Sequence, residues 1–288
     1  SHLLKFEILP IRLLAIGLPL TVLAGTAIAW WLFPFAGSGE SILMALLLAL
    51  LLAPTDAALS QNVLSRPTIK ESLRHSLTVE SGLNDGLILP VLLFTLALLT
   101  ASMNGASADI NHWQWLGFIG QQFTLAILVG IFVGLVGGWL VERAVQRAWM
   151  TPLYQRLTAP ALALLAYSGA EVLGGNGFIA VFLAGLFLRA HHTKVRQRLK
   201  EFGEAEGQLL SLLVFVFFGL WFVPAALPHI NLLSVLYALL SLTLIRAIPV
   251  LIALTGSGLP MRAKLFLAWY GPRGIASILY LLLVSTQL

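Results

Sequence analysis

Nine apolar stretches divide this sequence of 288 residues, and each is about as long as a helix that crosses a lipid bilayer, which takes about 17 to 25 residues. The chain is 59% hydrophobic and only 10% charged, with a mean hydropathy of +0.92. These values exclude an ordinary soluble domain. We therefore predict an all-α, polytopic membrane helical bundle, with residues 1–288 forming one partial membrane domain. The predicted spans are 11–33, 41–64, 77–100, 118–140, 158–174, 176–190, 209–227, 232–254 and 263–286.

Basic residues lie in alternate connections between these spans, while the intervening loops carry no Lys or Arg. This alternation is the pattern of membrane proteins whose basic loops stay in the cytoplasm. The net charge of +5 therefore reflects topology, and we expect no nucleic-acid partner. We predict a multi-pass protein of the cell (inner or plasma) membrane, embedded in the lipid bilayer, with its basic loops cytoplasmic.

Six charged residues fall within the membrane part of the predicted spans, whereas Arg12, Arg189 and Lys264 lie at cytoplasmic flanks. A charge near the bilayer centre costs about 2.5–3.5 kcal/mol to insert. Each therefore needs a partner or a functional role. The six are Asp56, Glu80, Asp85, Glu171, Arg246 and Arg273.

Pro54 in the motif Ala53-Pro54-Thr55-Asp56 of the second span and Pro272 in the motif Gly271-Pro272-Arg273-Gly274 of the last each lie near the middle of a span. Proline removes a backbone donor and clashes with the preceding turn, so both helices should be interrupted there. The loop charges give these two spans opposite directions across the membrane. Two interrupted spans of opposite direction indicate an inverted-repeat transporter that binds ions at the breaks. The alternative is an ordinary proline kink, which is common in membrane helices.

Oxygen donors gather around the first break and the third span. The break offers the Thr55 carbonyl and the Asp56 carboxylate, and the third span offers the Ser81 hydroxyl and the Asp85 carboxylate. Such a set suits a hard cation rather than zinc, copper or iron. Because burial disfavours the charged form of a carboxyl group, one of these acids could hold either a proton or a cation.

Glu80 and Asn84 share a different face of the third span, four residues apart. We expect Arg273, at the second break, to neutralise Glu80, and Asn84 to hold the broken helices by hydrogen bonds without titrating. The alternative for Asn84 is simple helix packing. Glu171 and Arg246 remain as a candidate second ion pair.

Several motifs together resemble the sodium/proton antiporters of the NhaP and sodium/hydrogen exchanger type, over nearly the whole chain. The resemblance implies that Asp85 carries the ion and the proton, with Asp56, Ser81 and Thr55 around the ion, and that Glu80 and Arg273 form a core ion pair. It also implies about three further spans before this chain, one after it, and a homodimer of the full-length protein. The motifs are Pro54-Thr55-Asp56, the segment Glu80 to Gly86, the stretch Ser168 to Leu186, Arg246-Ala247 and Gly271-Pro272-Arg273-Gly274.

We therefore predict a secondary transporter, not an enzyme, that exchanges a monovalent cation for H⁺ by alternating access. Na⁺ is the expected cation, with Li⁺ or K⁺ as alternatives, and no other cofactor is expected. With Asn84 unable to titrate and Glu80 paired, Asp85 alone would exchange its ligand, so the cycle should be electroneutral. The open alternatives are an intramembrane aspartyl protease using Asp56 and Asp85, a cation channel, and a transport-inactive fragment.

Overall fold

A computed structural model describes residues 8–33, 40–56, 61–64, 66, 68–103, 112–188 and 193–287. Within these residues all regular secondary structure is helical, which confirms the predicted all-α fold. Residues 57–60 of the predicted span 41–64 and residues 189–190 of the predicted span 176–190 lie outside the described part.

Eleven helices are labelled here in chain order over the described residues. Five stretches within them are long and apolar enough to cross a membrane, judged by length and composition: Ile8–Leu32, Glu71–Met103, Gly117–Gln146, Glu206–His229 and Leu232–Ala253. The helices are α1 (Ile8–Leu32, with a π-helical segment Leu13–Gly17), α2 (Ser41–Leu52), α3 (Glu71–Met103), α4 (His112–Gln146), α5 (Pro152–Leu173), α6 (Gly177–Phe187), α7 (Thr193–Ala226), α8 (Leu232–Leu242), α9 (Leu244–Ala253), α10 (Met261–Trp269) and α11 (Ile275–Gln287). Short helical turns also occur at Gln61–Leu64 and Leu227–His229.

The chain forms two compact units. One comprises residues 1–109 and 215–288, and the other comprises residues 110–214. Helix α7 contributes its first part to the second unit and its remainder to the first.

The second unit is built from α4, α5 and α6, which pack through small residues. A Cβ added to Gly130 or Gly134 on α4 would lie 2.6 Å from the carbonyl oxygen of Ala180 or Ala184 on α6. Such close backbone approach is how membrane helices gain packing contacts. The chain reverses between α5 and α6 at Gly174, whose φ of +83° favours glycine.

The first unit has an apolar core where α2, α3 and α11 meet, and its most buried members include Leu50, Leu92, Leu96 and Tyr280. A second cluster joins α1, α9 and α10 through residues such as Leu13, Val250 and Leu267. These clusters hold the interrupted helices from either end, and so fix the position of the breaks between them.

Both predicted interruptions are present. Helix α2 ends at Leu52, after which residues 54–56 are non-helical, and residues 270–274 separate α10 from α11. A third interruption was not predicted. Thr243 has φ −117° and ψ −93° and divides the stretch Leu232–Ala253 into α8 and α9.

Candidate functional site

The two predicted breaks lie directly against each other in the first unit. The backbone N–H of Asp56 donates to the carbonyl of Pro272 at 2.8 Å. Arg273 Nη1 donates to the carbonyl of Ala53 at 3.1 Å. A Cβ on Gly274 would lie 2.8 Å from Asp56 Cγ, so only glycine leaves room for this carboxylate. The breaks therefore satisfy part of each other's freed backbone groups.

Asn84 fastens α3 to the first break. Its Nδ2 donates to both the backbone carbonyl and the hydroxyl of Thr55, each at 3.0 Å. Asn84 is buried, with only 1% of its surface exposed. A carboxylate at position 84 could not donate these bonds. Asn84 thus holds the Thr55 carbonyl in place without adding a charge.

Three of the four predicted oxygen ligands line one small cavity, which has room for about one water molecule. They are Thr55, Asp56 and Ser81, and the rest of the lining is Leu64, Leu77, Tyr270, Gly271 and Pro272. The fourth predicted ligand, Asp85, lies outside the cavity lining but one helical turn beyond Ser81. Its carboxylate is near enough to that of Asp56 for the two to interact electrostatically.

The predicted pairing of Glu80 with Arg273 is wrong. Glu80 Oε1 lies 2.9 Å from Arg246 Nη1 of α9, and both side chains are 5% exposed. Arg246 reaches this position because its guanidinium occupies the space where a Cβ of Gly271 would stand. A buried pair of this kind balances two charges that could not be inserted singly.

Arg273 instead binds the carboxyl ends of two helices. Besides the Ala53 carbonyl that follows α2, its Nη2 donates to the carbonyl and hydroxyl of Ser241 on α8, at 2.8 and 3.1 Å. A cation is favoured there, because the last carbonyls of a helix carry partial negative charge. The guanidinium therefore ties the end of α2 to the end of α8 from within the second break.

Arg246 has Glu80 as its partner within the first unit, and the predicted second pair of Glu171 with Arg246 stays a prediction. Glu171 is exposed, contrary to the expectation of a buried charge, and its Oε1 accepts from the backbone N–H of Gly177 at 2.9 Å. Asn176 Oδ1 accepts from Ile179 N in the same turn. Glu171 and Asn176 thus cap the start of α6 in the second unit.

Tyr280 of α11 is a contact that the sequence did not reveal. Its hydroxyl donates to the backbone carbonyl of Asp85 at 2.6 Å, and the residue is 1% exposed. Nothing in the apolar run around Tyr280 distinguishes it, although a buried tyrosine hydroxyl ordinarily has a partner. The contact of Ser241 with Arg273 was not predicted either, because nothing in the apolar run around Ser241 distinguishes it.

Several oxygen atoms at the centre are buried and have no hydrogen-bond partner among the described residues. These are Asp85 Oδ1, Asn84 Oδ1 and Glu80 Oε2. Buried acceptors are costly when unsatisfied, so this arrangement suits a cation or a proton that supplies the missing interaction.

The fold and the site define a class: a multi-pass, all-helical membrane protein with two broken helices in contact near buried acidic residues. The family described as "Sodium/hydrogen exchanger, transmembrane" matches residues 2–287, and the chain belongs to this family.

Curated relatives of this chain carry names of cation/proton antiporters. The K(+)/H(+) antiporter NhaP2 of Shewanella sp. (strain MR-4) is 27% identical over 271 residues, which cover 93% of this chain and 45% of that protein. The K(+)/H(+) antiporter NhaP of Alkalimonas amylolytica is 26% identical over 279 residues, covering 96% and 46%. The chain thus spans less than half the length of these relatives.

A solved structure shares the fold. The sodium proton antiporter MjNhaP1 from Methanocaldococcus jannaschii, solved at pH 8, matches with a TM-score of 0.75 and 22% sequence identity. The match covers 99% of this chain and 69% of that one.

Proposed function

We propose that this protein is a secondary transporter that exchanges a monovalent cation for H⁺, with Asp85 binding the cation or the proton in competition. Family membership and the named relatives support a cation/proton antiporter. The observation that carries the assignment of Asp85 is its buried, unpartnered Oδ1, one turn from Ser81 and beside the Asp56 carboxylate.

The breaks supply the remaining groups that a bound cation would need. The cavity at the breaks has space for about one water molecule or one bare cation. Its lining includes Thr55 and Asp56 from the first break and Ser81 from α3, which can offer oxygen atoms to a cation. A cation moving from this cavity toward Asp85 would pass from one carboxylate to the other. A proton on Asp85 would remove its negative charge and weaken cation binding, so the two ligands exclude each other.

The fixed charges of the core support an electroneutral cycle. Three carboxylates, Asp56, Glu80 and Asp85, are accompanied by two guanidinium groups, Arg246 and Arg273. The formal charge is therefore one short of balance, and one proton or one monovalent cation restores it. A buried site of this composition should load a single positive charge at a time, because unbalanced charge is expensive at membrane depth.

The expected cation is Na⁺, with Li⁺ as an alternative. The cavity at the breaks has room for about one water molecule, so it would admit a cation only without its hydration shell. Relatives named as K(+)/H(+) antiporters make K⁺ the third ion to compare. The intramembrane-protease alternative is disfavoured because Asp56 is held to the second break through Pro272 and Gly274 rather than placed at an open cleft.

We also propose that the protein lies in the cell membrane with its basic loops in the cytoplasm, as the charge alternation indicates. A homodimer of the full-length protein remains a prediction.

The test is proton flux in proteoliposomes, driven in turn by gradients of NaCl, LiCl and KCl. We expect Na⁺ to drive flux at the lowest concentration, and the rate to be the same with the membrane potential clamped at zero and at about −100 mV, where each net charge would feel about 2.3 kcal/mol. Proton flux that does not depend on a gradient of Na⁺, Li⁺ or K⁺ would exclude cation/proton exchange. A rate that changes with potential would exclude electroneutrality.

A further inference from the structure

Helix α11 touches the acidic residues at two points, and Ser277 lies between them. Gly274, immediately before α11, packs against the Asp56 side chain, and the Tyr280 hydroxyl bonds the Asp85 carbonyl. Ser277 is three residues from each contact, so it stands about one helical turn from both. With this spacing, Ser277 and Tyr280 share one face of α11, and Tyr280 contacts Asp85 from that face.

The Ser277 hydroxyl is unusual among the helical hydroxyl groups described here. Ser76, Ser211 and Thr95 each donate to the carbonyl four residues earlier, at 2.7, 2.7 and 2.8 Å. For Ser277 that residue is Arg273, which belongs to the non-helical break. Ser277 Oγ is consequently buried with no hydrogen-bond partner in the described part of the chain.

Three unsatisfied oxygen atoms therefore occur on facing elements: Ser277 Oγ from α11, and Asp85 Oδ1 and Asn84 Oδ1 from α3. A serine hydroxyl offers lone pairs to a cation while donating its proton to a carboxylate. Hydroxyl, amide and carboxylate oxygens are the ligands that hard cations prefer. Helix α3 already presents Ser81 to the cavity at the breaks, one turn from Asp85.

We propose that Ser277 is a further ligand of the transported cation, contributed by α11 between its contacts with Asp56 and Asp85. This inference rests on the proposed function, because it requires a cation at Asp85. It adds an oxygen from the second broken helix to a site otherwise built from the first break and α3. Cation binding would then draw α11 and α3 together at the level of Tyr280.

The experiment compares the Na⁺ dependence of proton flux in four variants of the purified protein. Ser277→Ala removes the hydroxyl, Ser277→Cys keeps the volume but offers a thiol that hard cations disfavour, and Ser277→Thr keeps the hydroxyl. Ser285→Ala is the matched control on the same helix, since its exposed hydroxyl donates to the Leu282 carbonyl. A second readout is the rise in Tm that NaCl produces, which reports binding without transport.

We expect Ser277→Ala and Ser277→Cys to raise the KM for Na⁺ about tenfold and to lose most of the Na⁺-dependent rise in Tm. Ser277→Thr and Ser285→Ala should stay within about twofold of the wild type. If Ser277→Ala does not fold, the contrast between Cys and Thr decides the matter. If the wild type is active and the KM for Na⁺ is unchanged in Ser277→Ala or Ser277→Cys, the role of Ser277 is overturned while the proposed function stands. The same holds if Ser285→Ala raises this KM as much as the Ser277 variants do. A wild type without cation-dependent flux overturns the proposed function as well.

Discussion

Breaking the Glu80–Arg246 pair should destabilise the protein more than any other single substitution in the site. Glu80→Gln removes the carboxylate charge at nearly constant volume and leaves the Arg246 guanidinium buried and uncompensated. Arg246→Met does the reverse. With an N–O distance of 2.9 Å and 5% exposure on both sides, each substitution should cost about 3–5 kcal/mol.

The double variant Glu80→Gln/Arg246→Met separates the pair from its surroundings. Because it leaves neither charge unbalanced, it should recover much of the loss, although the gap left by the guanidinium against Gly271 keeps it below the wild type. The combination of Glu80→Gln with Arg273→Gln should show weaker coupling than the Glu80/Arg246 pair, since the Arg273 guanidinium hydrogen-bonds Ala53 and Ser241 and feels Glu80 only through electrostatic attraction.

The assay is thermal unfolding of the purified variants in detergent. The two single substitutions should each lower the Tm by on the order of 10 °C. The Tm loss of the Glu80/Arg246 double variant should be well below the sum of the two single losses. Strictly additive losses for Glu80 and Arg246, together with recovery in the Glu80/Arg273 combination, would refute the pairing and restore Arg273 as the partner.

Three further substitutions test the contacts around the breaks. Asn84→Ala deletes both bonds to Thr55 and should lower stability by about 2 kcal/mol, measured by Tm, and an unchanged Tm would mean that the amide does not hold the break. Gly274→Ala should lower the stability by about 1–3 kcal/mol, because its methyl group meets the Asp56 side chain. Gly219→Ala on α7 is the control, since its added methyl group meets open space and should leave the Tm unchanged. Equal Tm values for the two variants would contradict the close approach of Gly274 to Asp56. Tyr280→Phe loses the bond to the Asp85 carbonyl and should cost about 1 kcal/mol, with exposed Tyr154→Phe as the neutral comparison; a loss no greater than that of the comparison would argue against the bond.

Local features of this fold could be predicted from the sequence. Long apolar stretches give helices because the chain must satisfy its backbone groups internally. The breaks occur at Pro54 and Pro272, where proline lacks the amide donor, although Pro90 and Pro249 lie inside α3 and α9. The two faces of α3 followed from the four-residue spacing of Glu80 with Asn84 and of Ser81 with Asp85. Each of these properties depends only on residues close together in the chain.

Ion-pair partners could not be predicted, because they depend on which helices pack together. Arg246 and Arg273 were equivalent in sequence as buried cations, and only the backbone of the second break distinguishes them. Gly271 leaves room for the Arg246 guanidinium, whereas Arg273 reaches the carbonyl ends of α2 and α8. The interruption at Thr243 contains no proline, so it could not be predicted from the sequence either.

Sodium-driven proton flux in proteoliposomes containing Asp85→Asn tests the central claim most directly. The amide keeps the volume and the Tyr280 contact, which involves only the backbone of residue 85, but it can neither bind a proton nor balance a cation. Glu40→Gln is the control, since this acid lies at the start of α2 and bonds Ser102 away from the breaks. We predict that Asp85→Asn folds and gives no flux above empty liposomes, while Glu40→Gln exchanges at the rate of the wild type. Sodium-driven proton flux that persists in Asp85→Asn would contradict the assignment of Asp85 as the shared carrier.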